Sequence, residues 1–428
     1  MKTIKVIDLF AGLGGIRLGF EKGMRTVGYE TECVFVSEIK EYAIKAYKGF
    51  YGDEKVYGDI TTVDVEKDIP DFDFLLAGFP CQPFSTAGKG LGFLDTRGTL
   101  FFEIERILKT KIENGSPAIG FLLENVEGLV NHDGGKTLKI IISHLKELGY
   151  NVEYKLLDSQ YFGLAQSRKR VYIVGLLKGS ISLDNFEMKT AMLGDILETN
   201  LPTVNSDFTQ KLFNNYTIDE VVGKSIKDKR GGEDNIHSWD IELKGKTTKQ
   251  ERNLLNILLR ERRKKKWAKE IGIKWMDGMP LTEEQIRTFF DVPNLSVLLQ
   301  DLTAKGYLTY EYPKKFVNGR RESDVTKPKG YNIVAGKLSF EFSKILDPNE
   351  LAPTLVAMDV SKLGIVDNGG LRKLTIREGQ RLCGYPEDYD LSCVTESEAF
   401  DLLGNTVCVP VIEAVAERIG KKYKEVVI

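Results

Sequence analysis

Histidine and cysteine are scarce in this 428-residue chain, which has three of the first and five of the second. The cysteines (Cys33, Cys81, Cys383, Cys393 and Cys408) never stand as Cys-x-x-Cys, so neither a disulfide framework nor a zinc site is suggested, and no metal is expected. No apolar run approaches the length that spans a bilayer. The opening Met1-Lys2-Thr3-Ile4-Lys5-Val6 leads straight into a strand pattern without signal-peptide character, so the cytosol is the expected location and no membrane partner is expected. Internal repeats and low-complexity tracts are missing as well. A formal net charge of −2 does not advertise a polyanionic partner, so nucleic-acid binding would require basic residues gathered on one face.

What is present is an alternation of short apolar runs with helical patterns. With 42% hydrophobic and 29% charged residues the chain can bury a large core and divide into two or three domains. Strands are expected at residues 4–9, 33–36, 72–77, 119–123, 152–157 and 171–176, with helices over 100–111 and 137–148. This pattern predicts a doubly wound α/β sheet. After Leu177 the periodicity changes, and Lys178-Gly179-Ser180 reads as an exit loop, which puts a domain boundary near 178. Within the following stretch, about 249–312 has the element order of a winged helix, and 407–419 reads as a final amphipathic helix.

The segment that decides the chemistry is Gly78-Phe79-Pro80-Cys81-Gln82-Pro83-Phe84-Ser85. An apolar run ends abruptly between two prolines, so Cys81 is expected on a rigid turn at a strand's carboxyl end, where sites form in open α/β sheets. Upstream, Asp8 to Gly15 is a glycine-rich turn that opens a helix, with Gly12 and Gly14 suited to a tight approach to a ligand. Its spacing differs from the dinucleotide fingerprint.

Read together with Glu124-Asn125-Val126, Gln166-Ser167-Arg168-Lys169-Arg170, Leu374-Thr375-Ile376-Arg377-Glu378 and Gly404-Asn405-Thr406-Val407, in that order, the chain resembles the cytosine-carbon-5 DNA methyltransferases of prokaryotic restriction-modification systems. The resemblance covers roughly the first 178 residues and the last 75 or so. It implies an S-adenosylmethionine-dependent methyltransferase sheet (residues 1–178), an inserted target-recognition domain (179–385) with the winged-helix-like part, and a segment (386–428) that closes the catalytic domain. The cofactor would be S-adenosylmethionine, leaving as S-adenosylhomocysteine, held by Asp8, Phe10, Gly12, Gly14, Glu38, Ile39, Asp59, Ile60, Pro80, Asn405 and Thr406. Glu38 would accept the ribose hydroxyls and Asp59 the adenine amine. Ile39 stands where the family often has tryptophan, which alters the adenine's packing surface.

The resemblance also implies roles in the reaction. Cys81 would add to carbon 6 of a flipped-out cytosine, with Arg168 lowering its pKa. Glu124 would act on ring N3, Arg170 on the base's carbonyl oxygen, and Asn125 would hold the glutamate's loop. The glycine-rich stretch 85–99 would close over the base and grip phosphates through Ser85, Lys89 and Arg97. Double-stranded DNA is the expected partner, with a cognate restriction endonuclease acting separately. Further contacts are expected from Lys229 and Arg230 in a glycine turn, and from Arg262, Arg263, Lys264 and Lys265 in a basic run flanked by Trp267 and Trp275. Two other functions compete. A transfer-RNA cytosine methyltransferase would share the motifs, but that branch is compact and carries threonine where Ser85 stands. A non-catalytic DNA-binding regulator would be expected to lose some of Cys81, Glu124 and Arg168.

Overall fold

The structure, a computed structural model, describes residues 3–80, 100–228, 235–276, 278–317, 320–334, 340–357 and 359–427. Cys81, Ser85, Lys89, Arg97, Lys229 and Arg230 therefore lie outside the described residues. The chain forms two compact units, one made of Met1–Glu198, Pro348–Ser361 and Thr375–Ile428, the other of Thr199–Asp347 and Lys362–Leu374.

The first unit is built on seven strands: β1 Thr3–Leu9, β2 Glu30–Ser37, β3 Val56–Tyr57, β4 Phe74–Gly78, β5 Gly120–Val126, β6 Asn151–Asp158 and β7 Lys169–Leu176. Their order is β3-β2-β1-β4-β5-β7-β6. All six expected strands are present, and the two-residue edge strand β3 is additional. Strands β1 to β5 pair in parallel, whereas β7 runs antiparallel to both β5 and β6, so the sheet is mixed rather than wholly parallel. The connection explains this: β6 and β7 are joined by ten residues without an α-helix, too short a route for a parallel crossover.

Alternation along the central strands fills both faces. Ile7, Leu9, Leu75, Ala77, Phe121 and Leu123 face a core shared with helices Leu100–Glu113 and Lys136–Glu147. Val6, Phe74, Leu76 and Leu122 face Phe20 and Met24 of helix α1 (Gly15–Thr26) and Val411, Ile412 and Val415 of the closing helix. That helix runs Val409–Val427, starting later and reaching further than its apolar spacing indicates. It lies against α1 because Gly19 and Gly23 leave room: a Cβ at Gly19 would stand 2.5 Å from Ile412, and one at Gly23 2.4 Å from the Glu413 carbonyl.

The first boundary falls at Glu198, not 178. Ile181 and Leu183 are buried in the same core as Ile419 and Tyr423, and Arg418 donates to the carbonyls of Ser182, Asp184 and Asn185. The exit loop therefore leads back onto the first unit before the chain leaves it. The helix Ile376–Cys383 likewise belongs to this unit, with Arg381 donating to the Ile196 carbonyl at 2.9 Å, so the return precedes residue 386.

In the second unit, helix Lys249–Glu261 starts in a capping box made by Thr248 and Glu251 and buries Leu254, Leu255, Leu258 and Leu259. These pack with Trp239, Trp267 and with Leu295, Leu299 and Leu302 of helix Leu295–Ala304. An antiparallel pair follows, Leu308–Glu311 with Gly330–Ile333, and Leu281 bridges to Tyr331 beside it. A separate hairpin, Lys314–Val317 with Arg320–Ser323, projects between them in sequence. A second core gathers Phe208, Leu212, Phe342, Ile345 and Leu371 around a small five-stranded sheet. Among the described residues no single helix is long and apolar enough to cross a membrane.

Candidate active site

The carboxyl ends of β1, β2, β4 and β5 converge on a cavity of about 790 Å³, placed where the strand order reverses between β1 and β4. Its lining includes Asp8, Phe10, Gly12, Glu38, Ile39, Asp59, Ile60, Pro80, Glu124, Arg168, Arg170, Asn405 and Thr406. Three buried polar atoms on this lining have no hydrogen-bond partner among the described residues, Asp8 Oδ2, Ser37 Oγ and Arg168 Nε, and Glu124 Oε1 has only an ion-pair contact with Arg170. Buried polar groups are nearly always satisfied, so their concentration in one place marks a site built for a polar ligand.

The turn after β1 is forced into an unusual path. Phe10, a non-glycine residue, takes φ 56°, followed by Gly12 at 53° and Gly14 at 67°. A left-handed Phe10 costs on the order of 1–3 kcal/mol, which the surroundings must offset. They do so with four tyrosines. Tyr51 donates to the Gly14 carbonyl at 2.8 Å and Tyr389 to the Leu13 carbonyl at 2.7 Å. A Cβ at Gly14 would stand 2.5 Å from Tyr51 and 2.8 Å from Tyr47, and one at Gly15 2.4 Å from the Tyr385 hydroxyl. Arg17 locks this wall from behind through Tyr47 at 2.7 Å and Glu54 at 2.6 Å.

Two carboxylates are pre-set around the cavity. Glu38 accepts from the amides of Gly12 at 2.8 Å, Ile39 at 2.8 Å and Lys40 at 2.9 Å, which fixes its orientation without a cation. Asp59 takes both Thr61 donors on Oδ1, at 2.9 and 2.8 Å, and this holds its carboxyl below the ordinary aspartate range. Asp8 behaves oppositely: burial pushes its pKa well up, and nearby Arg17 only partly offsets this. Ile39 is 70% exposed, an apolar side chain left open at the cavity.

On the opposite side, Glu124 stands two residues before the end of β5, almost wholly buried, with Arg170 Nε 3.1 Å from its Oε1. Burial raises the Glu124 pKa against the pull of Arg170 and Arg168, so its neutral, hydrogen-donating form persists to higher pH than in an ordinary glutamate. Asn125 donates to the Phe79 carbonyl at 2.9 Å. It thereby ties the glutamate's strand to the Phe79-Pro80 approach to Cys81, and its Oδ1 accepts from the Val126 amide at 2.8 Å, which braces the chain just after the glutamate.

Arg168 is buried at the site and held by the backbone. Its guanidinium donates to three backbone carbonyls, Leu355 at 2.9 Å, Gly404 at 3.1 Å and Thr406 at 2.5 Å. It thus pins the closing segment against the site. Asn405 and Thr406 line the cavity, but the Asn405 amide is held by Asp401 and the Thr406 hydroxyl lies 2.5 Å from that of Tyr385. The supporting tyrosines and Asp401 were not singled out from sequence. The i,i+4 spacing of Tyr47 with Tyr51 and of Tyr385 with Tyr389 was the available signal.

Residues 4–421 match the family described as C-5 cytosine-specific DNA methylase. The chain belongs to that family. The Type II methyltransferase M.NlaIV of Neisseria lactamica is 56% identical over 426 residues, covering 98% of this chain and 99% of that protein. M.NgoBV of Neisseria gonorrhoeae is 55% identical with the same coverage, and M.BanI of Aneurinibacillus aneurinilyticus is 43% identical over 97% of this chain and 95% of its own. Among solved structures, the S. pombe Dnmt2 methyltransferase gives a TM-score of 0.55 at 17% identity, covering 99% of this chain and 100% of that one. That likeness bears on the fold alone. As a member of this family the chain is a DNA (cytosine-5-)-methyltransferase.

The basic run of this DNA methylase is divided by the fold. Arg262 is 6% exposed, and its guanidinium donates to Asn332 at 2.5 Å beneath Gly278, where a Cβ would come within 2.7 Å of it. It is an interior strut of the second unit, not a phosphate contact. Trp267 and Trp275 donate to the carbonyls of Glu261 and Arg263, closing the end of helix Lys249–Glu261. Lys264 and Lys265 remain exposed and Arg263 half-buried. Arg262→Ala is expected to cost about 1–3 kcal/mol by stranding Asn332, visible as a lowered Tm, whereas Lys265→Ala leaves the Tm unchanged. Equal melting of the two variants would contradict this division.

Proposed function

We propose that the cavity binds S-adenosylmethionine beside a flipped-out cytosine, that Cys81 is the nucleophile, and that the second unit recognises the DNA sequence. The observation that carries the reading is the gathering of buried polar atoms without hydrogen bonds, Asp8 Oδ2, Ser37 Oγ and Arg168 Nε, around one cavity, with pinned acceptors on one side and Glu124 on the other. The residues fit the cofactor's chemistry: Glu38 for ribose hydroxyls, Asp59 Oδ2 for the adenine amine, Asp8 for an ammonium group, Phe10 and Ile39 for a flat ring. When bound, S-adenosylmethionine supplies an electrophilic methyl group.

Carbon 5 of cytosine is a poor nucleophile until a group adds at carbon 6. Cys81 adds there as thiolate, and Glu124 donates to ring N3 as negative charge develops. Arg170, next to Glu124, is placed for the base's carbonyl oxygen. Carbon 5 then gains the methyl group, and loss of its proton with expulsion of Cys81 restores the ring. Arg168 acts by holding residues 404–406 in place, and its buried charge favours a nearby thiolate.

The helical part of the second unit, with helices Lys249–Glu261, Lys265–Ile271, Glu283–Arg287 and Leu295–Ala304 followed by antiparallel strands, supports the winged-helix reading, and exposed Lys264 and Lys265 with Arg263 are candidate phosphate contacts, as are Lys229, Arg230, Ser85, Lys89 and Arg97. A separately acting restriction endonuclease is the proposed companion, and the nucleoid-associated cytosol the place of action.

Methyl incorporation into duplex DNA and transfer RNA, assayed side by side, tests the substrate. Incorporation into DNA alone is expected; incorporation into transfer RNA alone would overturn the reading. Glu38→Ala is expected to weaken cofactor binding about tenfold or more, since a charged hydrogen bond contributes on the order of 1.5–3 kcal/mol. Unchanged calorimetric affinity would remove Glu38 from the site.

A further inference from the structure

Two stretches far apart in sequence meet on the cavity lining: Glu38, Ile39 and Lys40, which follow β2, and Gly404, Asn405 and Thr406, at the end of helix Glu396–Asn405. One side chain joins them. Asp401, in the last turn of that helix, accepts on Oδ2 from the Lys40 ammonium at 2.9 Å and from the Tyr42 hydroxyl at 2.6 Å, and on Oδ1 from the Asn405 amide at 3.1 Å. The same Asn405 nitrogen donates to the Asp401 backbone carbonyl at 2.8 Å, and the Lys40 backbone amide donates to Glu38 at 2.9 Å. An unbroken chain of bonds therefore runs from Glu38 to Asn405. Asp401 itself stands outside the lining.

Folding stability is a poor reason for this arrangement. The Lys40 and Asp401 side chains are 43% and 33% exposed, and ion pairs at such exposure contribute little to stability. What the bonds fix is orientation. A side-chain amide has a donating nitrogen and an accepting oxygen, and engaging the nitrogen twice with Asp401 settles which end is which. The oxygen is then what Asn405 has to offer a ligand, an acceptor of the kind that Glu38 and Asp59 supply elsewhere on the lining. We propose that Asp401 is a positioning residue for the cofactor: held by Lys40 and Tyr42, it sets the Asn405 amide as an acceptor for a donor group of S-adenosylmethionine and keeps that acceptor in register with Glu38. The inference rests on the reading of the cavity as the S-adenosylmethionine site and deepens it. Because Asp401 acts through Asn405 and not on the reacting base, its effect falls on cofactor affinity and not on the chemical step.

The test measures calorimetric affinity for S-adenosylmethionine, and the single-turnover methylation rate at saturating cofactor, in full-length Asp401→Ala, Tyr42→Phe and the double variant. Asp401→Ala is expected to weaken cofactor binding about five- to tenfold, the scale of one or two modest hydrogen bonds, while the saturated rate stays within about twofold of wild type. Tyr42→Phe keeps the ring and loses only the hydroxyl, and is expected to weaken binding about threefold. In the double variant that second loss is expected to vanish, because without Asp401 the Tyr42 hydroxyl has no carboxylate to hold. Unchanged affinity in Asp401→Ala, a saturated rate that falls as far as the affinity does, or a Tyr42→Phe effect undiminished in the double variant would each overturn the proposal. A wild-type enzyme without affinity for S-adenosylmethionine would instead overturn the underlying reading.

Discussion

Cys81→Ala is expected to lower methyl transfer by about 10⁴-fold or more while cofactor affinity stays close to wild type. The size follows from the chemistry: without addition at carbon 6 the route through a nucleophilic carbon 5 is closed, and removing a covalent nucleophile typically costs several powers of ten. The separation of the two effects follows from the site's layout. Glu38, Asp59 and the turn from Phe10 to Gly14 are held by backbone amides, Thr61 and four tyrosines, none of which depends on a thiol. Single-turnover methylation and calorimetry on the same preparation check both halves. Residual turnover within tenfold of wild type would remove Cys81 from the reaction.

Glu124→Gln is the next largest expected effect, a fall in kcat of about 10²–10³-fold, the usual scale for losing a general acid or a transition-state hydrogen bond. Because burial raises the Glu124 pKa, the neutral form that donates to N3 is held to higher pH than usual and is lost as pH rises through that raised value. Wild-type kcat/KM is therefore expected to fall on the alkaline side, and glutamine, which cannot lose a proton there, is expected to flatten that limb. An alkaline limb that survives in Glu124→Gln belongs to another group.

Much of this site was legible because its residues sit at strand ends punctuated by glycine and proline. Such punctuation is local. What escaped the sequence was non-local. Strand β7 has the same apolar run whichever way it points, and only the helix-free connector from Ser159 to Arg168 betrayed its direction. The loop at 178–180 looked like an exit because nothing nearby shows that Arg418 holds the next residues in place from across the unit. Arg262 reads as one charge in a run of seven, six of them basic. Its inward turn depends on the space left by Gly278 and on Asn332, 70 residues further on. Arg168 and Arg170 look alike as an Arg-x-Arg pair, yet β-strand alternation and the threading of residues 352–355 and 404–406 give one to backbone carbonyls and the other to Glu124.

The central claim joins DNA, carbon 5 and Cys81 in one event, and trapping the enzyme on duplex DNA that carries 5-fluorocytosine tests all three together. Fluorine cannot leave as a proton does, so the adduct formed after methyl transfer persists. The predicted result is a denaturant-resistant protein–DNA complex that forms only when S-adenosylmethionine is present, with mass spectrometry placing the cross-link on the peptide containing Cys81. A complex linked through any other residue, or none formed on DNA that the enzyme otherwise methylates, would contradict the account.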